Sequence, residues 1–183
     1  MRSTKGAFLL ALGLLAADQA SKAWAASGAL DRPVELVPGL LRLTLGYNSG
    51  ALFGILADLT GPPRTLILLG IPCLAVGLMV YLLLRTGAAD RTARLALAIM
   101  LGGALGNLVD RILHGRVVDF IDVHAGFEPL HSWLVGIFGT SRWPTFNVAD
   151  MGLSCGALLL LASSLGFSRA PRTEARDDAP LPD

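Results

Sequence analysis

The sequence predicts an all-α membrane protein: four transmembrane helices, with a small β-sheet and a short amphipathic segment on its outer face. Of its 183 residues, 53% are hydrophobic and only 16% are charged, whereas soluble domains carry about a quarter charged residues. Four long apolar stretches follow one another, and about 20 helical residues cross a bilayer core. The net charge of +1 and the absence of a basic patch give no indication of nucleic-acid binding.

The first apolar stretch, residues 6–26, follows Arg2 and Lys5. A basic start before an apolar run also occurs in cleaved signal peptides. This run, however, continues through Asp18 and Lys22, which are four residues apart and share one helix face, where they can offset each other's charge. We therefore interpret the stretch as a retained helix.

The other three stretches have clearer boundaries. Thr65–Leu84 carries no charge between Arg64 and Arg85, and Met151–Phe167 is also free of charge. Leu95–Leu113 is apolar until polar residues enter near its end. These residues predict three further transmembrane helices, and the four helices form a single domain over residues 1–168.

Two long connections, 27–63 and 114–145, join the helices on one side of the membrane. In the first, Leu41–Leu45 alternates apolar and polar residues, which is typical of a half-buried strand. Val34–Val37 can pair with it across a Pro-Gly turn. In the second, apolar residues between Phe127 and Phe138 predict a short amphipathic segment lying in the membrane interface.

The basic residues predict the orientation. Cytoplasmic loops carry an excess of Lys and Arg, and eight of the fifteen lie at the N-terminus, in the loop 85–94 or in the C-terminal tail. Both termini are therefore predicted to be cytoplasmic, and both long connections to be outside. The tail, 169–183, is rich in Pro, Ala, Arg and Asp without apolar periodicity, and we expect it to be disordered.

Two aspartates stand at the outer ends of membrane-spanning stretches, Asp119 in the second connection and Asp150 before the fourth stretch. An ionisable residue at membrane depth usually faces a protein interior and has a function there. Two neighbouring carboxylates can share one proton, because two like charges close together resist ionising. Taken alone, however, Asp150 could simply complement the dipole of the helix that it begins, with Asn147 as the N-cap.

Asn107, Asp110 and Arg111 are spaced to form one polar face near the outer end of the third stretch. They could form a clamp between helices in which Asp110 and Arg111 offset each other. Together with Asp18, Lys22, Asn48 and the two aspartates, they give more polar groups than a purely structural bundle needs. A small transporter would also carry intramembrane acids, but spread through the membrane depth.

The residue types favour hydrolysis by paired carboxylates. No serine, cysteine or lysine stands beside a base in a nucleophile arrangement. One ionised carboxylate can activate water while its protonated partner donates a proton. The three histidines are scattered and form no metal-binding motif, so no cofactor is expected.

Five blocks of the sequence, all in order, resemble lipoprotein signal peptidase, also called signal peptidase II. The resemblance covers about residues 15–155. Each block alone is weakly specific, but the five together are highly specific. The blocks are Asp18–Lys22, Tyr47–Ala51, Gly102–Arg111, Gly115–Phe120 and Phe146–Asp150.

The resemblance implies a bacterial inner-membrane aspartic endopeptidase that cuts prolipoproteins before a diacylglyceryl-modified cysteine. Asp119 and Asp150 correspond to its catalytic pair. Residues around and supporting the site correspond to Asn48, Gly50, Asn107, Arg111, Asn147, Asp18, Lys22 and Asp110. The expected partners are lipidated prolipoproteins and membrane lipids, with no nucleic acid, and we expect a monomer to suffice.

The chain departs from the family pattern in one place. The segment between Asp119 and Asp150 is longer than usual by roughly a dozen residues, around Glu128–Arg142. Exposed loops tolerate insertions, so the predicted aspartate pair is unaffected. The resemblance therefore does not predict the shape of this outer segment or the substrate preference that depends on it.

Overall fold

In a computed structural model of the protein, residues 3–50 and 61–165 are described, and they form five α-helices and three β-strands. The helices are α1 (Thr4–Trp24), α2 (Gly61–Arg85), α3 (Arg91–His114), α4 (Leu130–Phe138) and α5 (Val148–Ser164). The strands are β1 (Val34–Val37), β2 (Leu41–Asn48) and β3 (Val117–Val123). The predicted tail 169–183 and the end of the fourth apolar stretch lie outside the described residues.

Each of the four apolar stretches forms a helix with ends set by local sequence. Ser3 and Asp90 accept hydrogen bonds from first-turn N–H groups of α1 and α3, which is how such N-caps satisfy helix ends. Gly115 ends α3 in the left-handed conformation that glycine adopts readily. Among the described helices, α2 and α3 are long and apolar enough to cross a membrane, and the apolar α5 is shorter. Four membrane-spanning helices therefore remain a prediction.

Helix α3 lies at the centre and packs against α1, α2 and α5. Glycines allow these backbones to approach closely, as small residues do in membrane helix pairs. A side chain at Gly102 would overlap the backbone of Ala11 in α1. On the other side of α3, Gly103 lies against the carbonyl oxygen of Ala149, and Gly156 of α5 lies against Met100. This packing brings the first turn of α5 beside the C-terminal half of α3.

The three strands form one antiparallel sheet in the order β1-β2-β3. The predicted hairpin of β1 and β2 is present. The third strand was not predicted: Asp119 lies within β3 rather than at a helix end, because Gly115 turns the chain out of α3 and into the sheet. Gly46 pairs with Asp119 and Asn48 with Val117, so residues 46, 48 and 119 lie on one sheet face.

The long segment between the two aspartates folds into α4 and a return along the free edge of β3. Phe146 exchanges backbone hydrogen bonds with Ile121 at 2.8 and 3.0 Å, and Trp143 N–H donates to Val123 at 2.9 Å. Helix α4 exposes apolar side chains including Trp133 and Ile137, as the predicted amphipathic segment requires. The longer segment is therefore anchored to the sheet immediately before α5.

Close packing at Gly103 leads to a stability prediction. In Gly103→Ala the new methyl group overlaps the Ala149 carbonyl oxygen, and overpacking typically costs about 1–3 kcal/mol. The matched variant is Gly77→Ala in α2, where nothing lies within 4 Å and alanine is the better helix former by about 1 kcal/mol. We expect thermal unfolding in detergent to give a lower Tm for the first variant and an equal or higher Tm for the second. Equal shifts in the two variants would contradict the described packing.

Candidate active site

A buried lysine joins α1 to α3 near the C-terminal ends of both helices. The Lys22 side chain is 3% exposed, and its Nζ contacts Asp18 Oδ2 at 2.8 Å, Asp110 Oδ2 at 3.1 Å and Asn107 Oδ1 at 2.9 Å. An ammonium group has three N–H donors, so each has an acceptor. The predicted pairing of Asp18 with Lys22 is confirmed by this contact.

The two carboxylates on Lys22 also bind backbone groups of other elements. Asp18 Oδ1 accepts from the Ala149 N–H of α5 at 2.9 Å, and Asp110 Oδ2 accepts from the Val118 N–H of β3 at 3.0 Å. Asp110 therefore pairs with Lys22, and within the described residues it makes no ion pair with Arg111. A clamp made only of neighbours on α3 is thus not the arrangement present.

One member of this network had no predicted role. Gln19 Nε2 donates to Asp110 Oδ1 at 2.8 Å and to the Gly106 carbonyl at 3.2 Å. The sequence contains one indication of a role for Gln19, namely its position next to Asp18 in the first of the five sequence blocks. The contact could not be predicted, because it depends on how α1 faces α3.

Asn107 and Asn147 carry the network on to the two predicted catalytic residues. Asn107 Nδ2 donates to Asp150 Oδ1 at 2.7 Å, and Asn147 Nδ2 donates to Asp119 Oδ1, also at 2.7 Å. The two amides are linked at 3.1 Å, from Asn147 Nδ2 to Asn107 Oδ1. Each carboxylate is therefore held by an asparagine side chain.

Asp150 has a second set of bonds that fixes its position. Asn147 is the N-cap of α5, as predicted, and its Oδ1 accepts from the Asp150 N–H at 3.0 Å. In return, Asp150 Oδ2 accepts from the Asn147 N–H at 3.2 Å, which completes a capping box. Asp150 thus complements the helix N-terminus and also faces Asn107, so the two sequence interpretations of this residue are compatible.

Asp119 is approached from the sheet by Asn48. The Asn48 Oδ1 accepts from the Gly50 N–H at 2.9 Å, and its side chain also hydrogen-bonds Asp119. Gly50 has φ of +83° and would clash with Leu68 if it carried a Cβ. Glycine at this position therefore allows the turn that orients Asn48 towards the carboxylate.

The surroundings of Asp119 favour its protonated form. Asp119 is 2% exposed. Burial first, and then the negative charge of Asp150, raise its pKa to about 6, although hydrogen bonds from Asn48 and Asn147 and the charge of Lys22 act in the opposite direction. A carboxyl group with such a pKa can hold a proton close to neutral pH while its neighbour is ionised.

Arg111 is half-buried, and its charge interacts with those of Asp150, Asp119 and Asp110. Within the described residues its guanidinium makes no hydrogen bond or ion pair. Its N–H groups are therefore available beside the two carboxylates, where a bound molecule could accept them.

The structure thus brings together all ten residues predicted for the site. The acids among them are joined in one connected network of hydrogen bonds and ion pairs. Two carboxyl groups in one connected network, one of them with a raised pKa, are suited to general acid–base catalysis on a bound water and an adjacent carbonyl group.

Comparison with known proteins gives one consistent result. The family described as "Signal peptidase (SPase) II" matches residues 10–166. The lipoprotein signal peptidase of Xylella fastidiosa (strain M12) is 35% identical over 170 residues, covering 90% of this chain and 92% of that protein. That of Francisella tularensis subsp. tularensis (strain SCHU S4 / Schu 4) is 33% identical over 159 residues, covering 86% and 90%.

Two solved structures share the fold, and both are described as bacterial membrane enzymes. The one at 2.3 Å resolution has a TM-score of 0.71 and 25% identity, covering 97% of this chain and 95% of its own. The one at 1.9 Å has a TM-score of 0.70 and 28% identity, covering 88% and 93%. With the family match extending from α1 to α5, the chain belongs to the signal peptidase II family.

Proposed function

We propose that this protein removes the signal peptide from prolipoproteins as an aspartic endopeptidase, cutting on the N-terminal side of the diacylglyceryl-modified cysteine. The observation that carries this proposal is the pair formed by Asp119 and Asp150, joined through Asn147, with a raised pKa on Asp119. Membership of the signal peptidase II family supports the substrate class.

In the proposed reaction, ionised Asp150 takes a proton from water, which attacks the carbonyl carbon of the scissile peptide bond. Protonated Asp119 gives its proton to the carbonyl oxygen, and a neutral tetrahedral diol results. As the C–N bond breaks, Asp150 protonates the leaving amine, and Asp119 takes a proton from the diol. The pair ends with one shared proton, as it began, and it titrates as a unit.

The other site residues have supporting roles in this mechanism. Asn48, Asn107 and Asn147 hold the carboxylates, and Gly50 orients Asn48. We assign Arg111 to substrate binding, because its N–H groups have no partner among the described residues. Asp18, Lys22 and Asp110 keep α1, α3 and the start of α5 in register beneath the site.

The proposed setting is a bacterial inner membrane, with both termini cytoplasmic and the site at the outer face. The basic residues on the cytoplasmic side support this orientation. The lipid chains and the apolar signal helix then remain in the bilayer while the scissile bond meets water. We propose that a monomer suffices, because the described network completes the site within one chain.

Cleavage of a synthetic lipidated prolipoprotein peptide by the purified protein tests this function. The control is an identical peptide with an unmodified cysteine, compared at matched concentration in the same detergent. We expect the control to be cut very poorly, because each buried CH₂ of the two acyl chains contributes about 0.8 kcal/mol to placing the substrate. Equal cleavage would mean a general membrane aspartic protease and would refute the lipoprotein assignment.

The aspartate pair is tested by replacing each carboxylate with its amide. Asp119→Asn and Asp150→Asn should lose activity by at least the factor of about 10²–10⁴ typical of general acid–base groups, with expression near normal. Asn107→Ala, Arg111→Ala and Asn147→Ala should retain weak activity.

The matched control for these variants is Asp122→Asn. Asp122 is a buried acid on the same strand, bound to Arg42 rather than to the site, and its variant should remain active. Substantial turnover by either Asp119→Asn or Asp150→Asn would exclude the pair as assigned.

The pH dependence follows from the pKa of Asp119. The active pair needs one proton, so kcat/KM should fall as pH rises through about 6, where Asp119 loses that proton. In Asn48→Ala the hydrogen bond that lowers this pKa is removed, so the falling limb should move to higher pH. A pH profile of kcat/KM measures this, and a limb that stays in place or moves to lower pH would argue against Asp119 as the acid.

Reporter fusions test the orientation. A reporter active only in the cytoplasm should work when fused after Arg172 or within the loop 85–94, and should fail within 27–63 or 114–145. The opposite pattern would place the site on the cytoplasmic side and would contradict the proposed access of prolipoproteins.

A further inference from the structure

A cavity of about 260 Å³ lies between the C-terminal ends of α1 and α3 and the sheet. Ala23 and Ala26 of α1 and Val118 of β3 give it apolar walls. Tyr47, His114 and Arg116 complete the lining towards the sheet. None of these six residues has a role in the proposed hydrolysis.

Arg116 is held in this cavity by an aromatic ring. Its guanidinium carbon lies 3.8 Å from the centre of the Tyr47 ring, a cation–π contact that fixes the plane of the group. In the part of the chain that the structure describes, none of its N–H groups donates to a protein oxygen. A planar guanidinium with free donors binds phosphate groups well, because two parallel N–H groups match two oxygens.

Two charged side chains of the buried network, Lys22 and Asp110, also line the cavity, and their opposite charges are 3.1 Å apart. Because these two charges offset each other, the lining does not repel an anion strongly. Asp110 also accepts from Gln19 and Val118, so its oxygens are engaged. The charge left available in the cavity is that of Arg116, while the exposed His114 adds a ring nitrogen that can donate.

The position of the cavity indicates which phosphate would reach it. It lies at the C-terminal end of α1. The last residue of that helix, Trp24, is 49% exposed, as is usual for tryptophan at the head-group level of a bilayer. A free anion would gain nothing from the walls formed by Ala23 and Ala26. A phospholipid would gain from both the walls and the cation.

We propose that this cavity binds the phosphate of an anionic phospholipid, with Arg116 donating to the phosphate oxygens and the glycerol lying against α1. This proposal rests on the membrane placement described under the proposed function, but not on the hydrolytic mechanism.

The test is titration of the full-length protein in detergent with dioleoylphosphatidylglycerol, followed by native mass spectrometry. Dioleoylphosphatidylcholine and inorganic phosphate are the comparison ligands. We expect phosphatidylglycerol to bind more tightly than either, and Arg116→Gln to weaken its binding by about tenfold, the effect of losing one charge-assisted contact. Tyr47→Leu should weaken it less, because the charge remains but is no longer held.

The matched control is Arg32→Gln, which removes an exposed arginine from the connection between α1 and β1 and should leave binding unchanged. The Arg116→Gln variant should still cleave the lipidated peptide. Failure of the lipid-binding proposal can therefore be distinguished from failure of the proposed hydrolysis. Equal binding of phosphatidylglycerol by the wild type and Arg116→Gln, or no preference over phosphatidylcholine, would overturn the proposal. Inorganic phosphate binding as tightly as the lipid would overturn the assignment to a phospholipid.

Discussion

The arrangement of this site depends on the burial of one ammonium group, that of Lys22. A buried charge is tolerated only when it is paired and its donors are satisfied. Three oxygens must therefore converge on its Nζ, and they come from Asp18 on the same helix and from Asp110 and Asn107 on α3. This requirement sets the rotation and height of α1 against α3.

The need to pair the Lys22 ammonium group also orients the two aspartates, because two asparagine side chains lie between them and the lysine. Because the Asn107 oxygen faces Lys22, its NH₂ group must face the opposite way, towards Asp150. Asn147 likewise directs its oxygen to the Asp150 N–H and its nitrogen to Asp119. The orientation of each asparagine amide is thus fixed in turn, from the buried Lys22 ammonium group to the two carboxylates.

The two carboxylates have different surroundings, although they share partners. Asp150 lies in the first turn of α5, where the helix dipole favours a negative charge. Asp119 lies on a buried strand, where desolvation and the charge of Asp150 raise its pKa. This difference is the basis for the proposed roles of base and acid, and it arises because a helix end and a sheet meet at the site. The anchoring of residues 141–146 along β3 keeps that junction in place.

The four apolar helices, the β1–β2 hairpin and the polar residues of the site could all be predicted from the sequence, because periodicity, caps and ordered motifs are local properties. The pairing of Asp18 with Lys22 follows from their spacing on one helix, and Gly115 and Asn147 mark helix ends. Two features could not be predicted and come from the packing of distant elements: Asp119 lies on a third strand, and Asp110 binds Lys22 rather than Arg111. Those contacts join residues distant in the chain, and they depend on how closely glycine-lined helices pack, which no local pattern encodes.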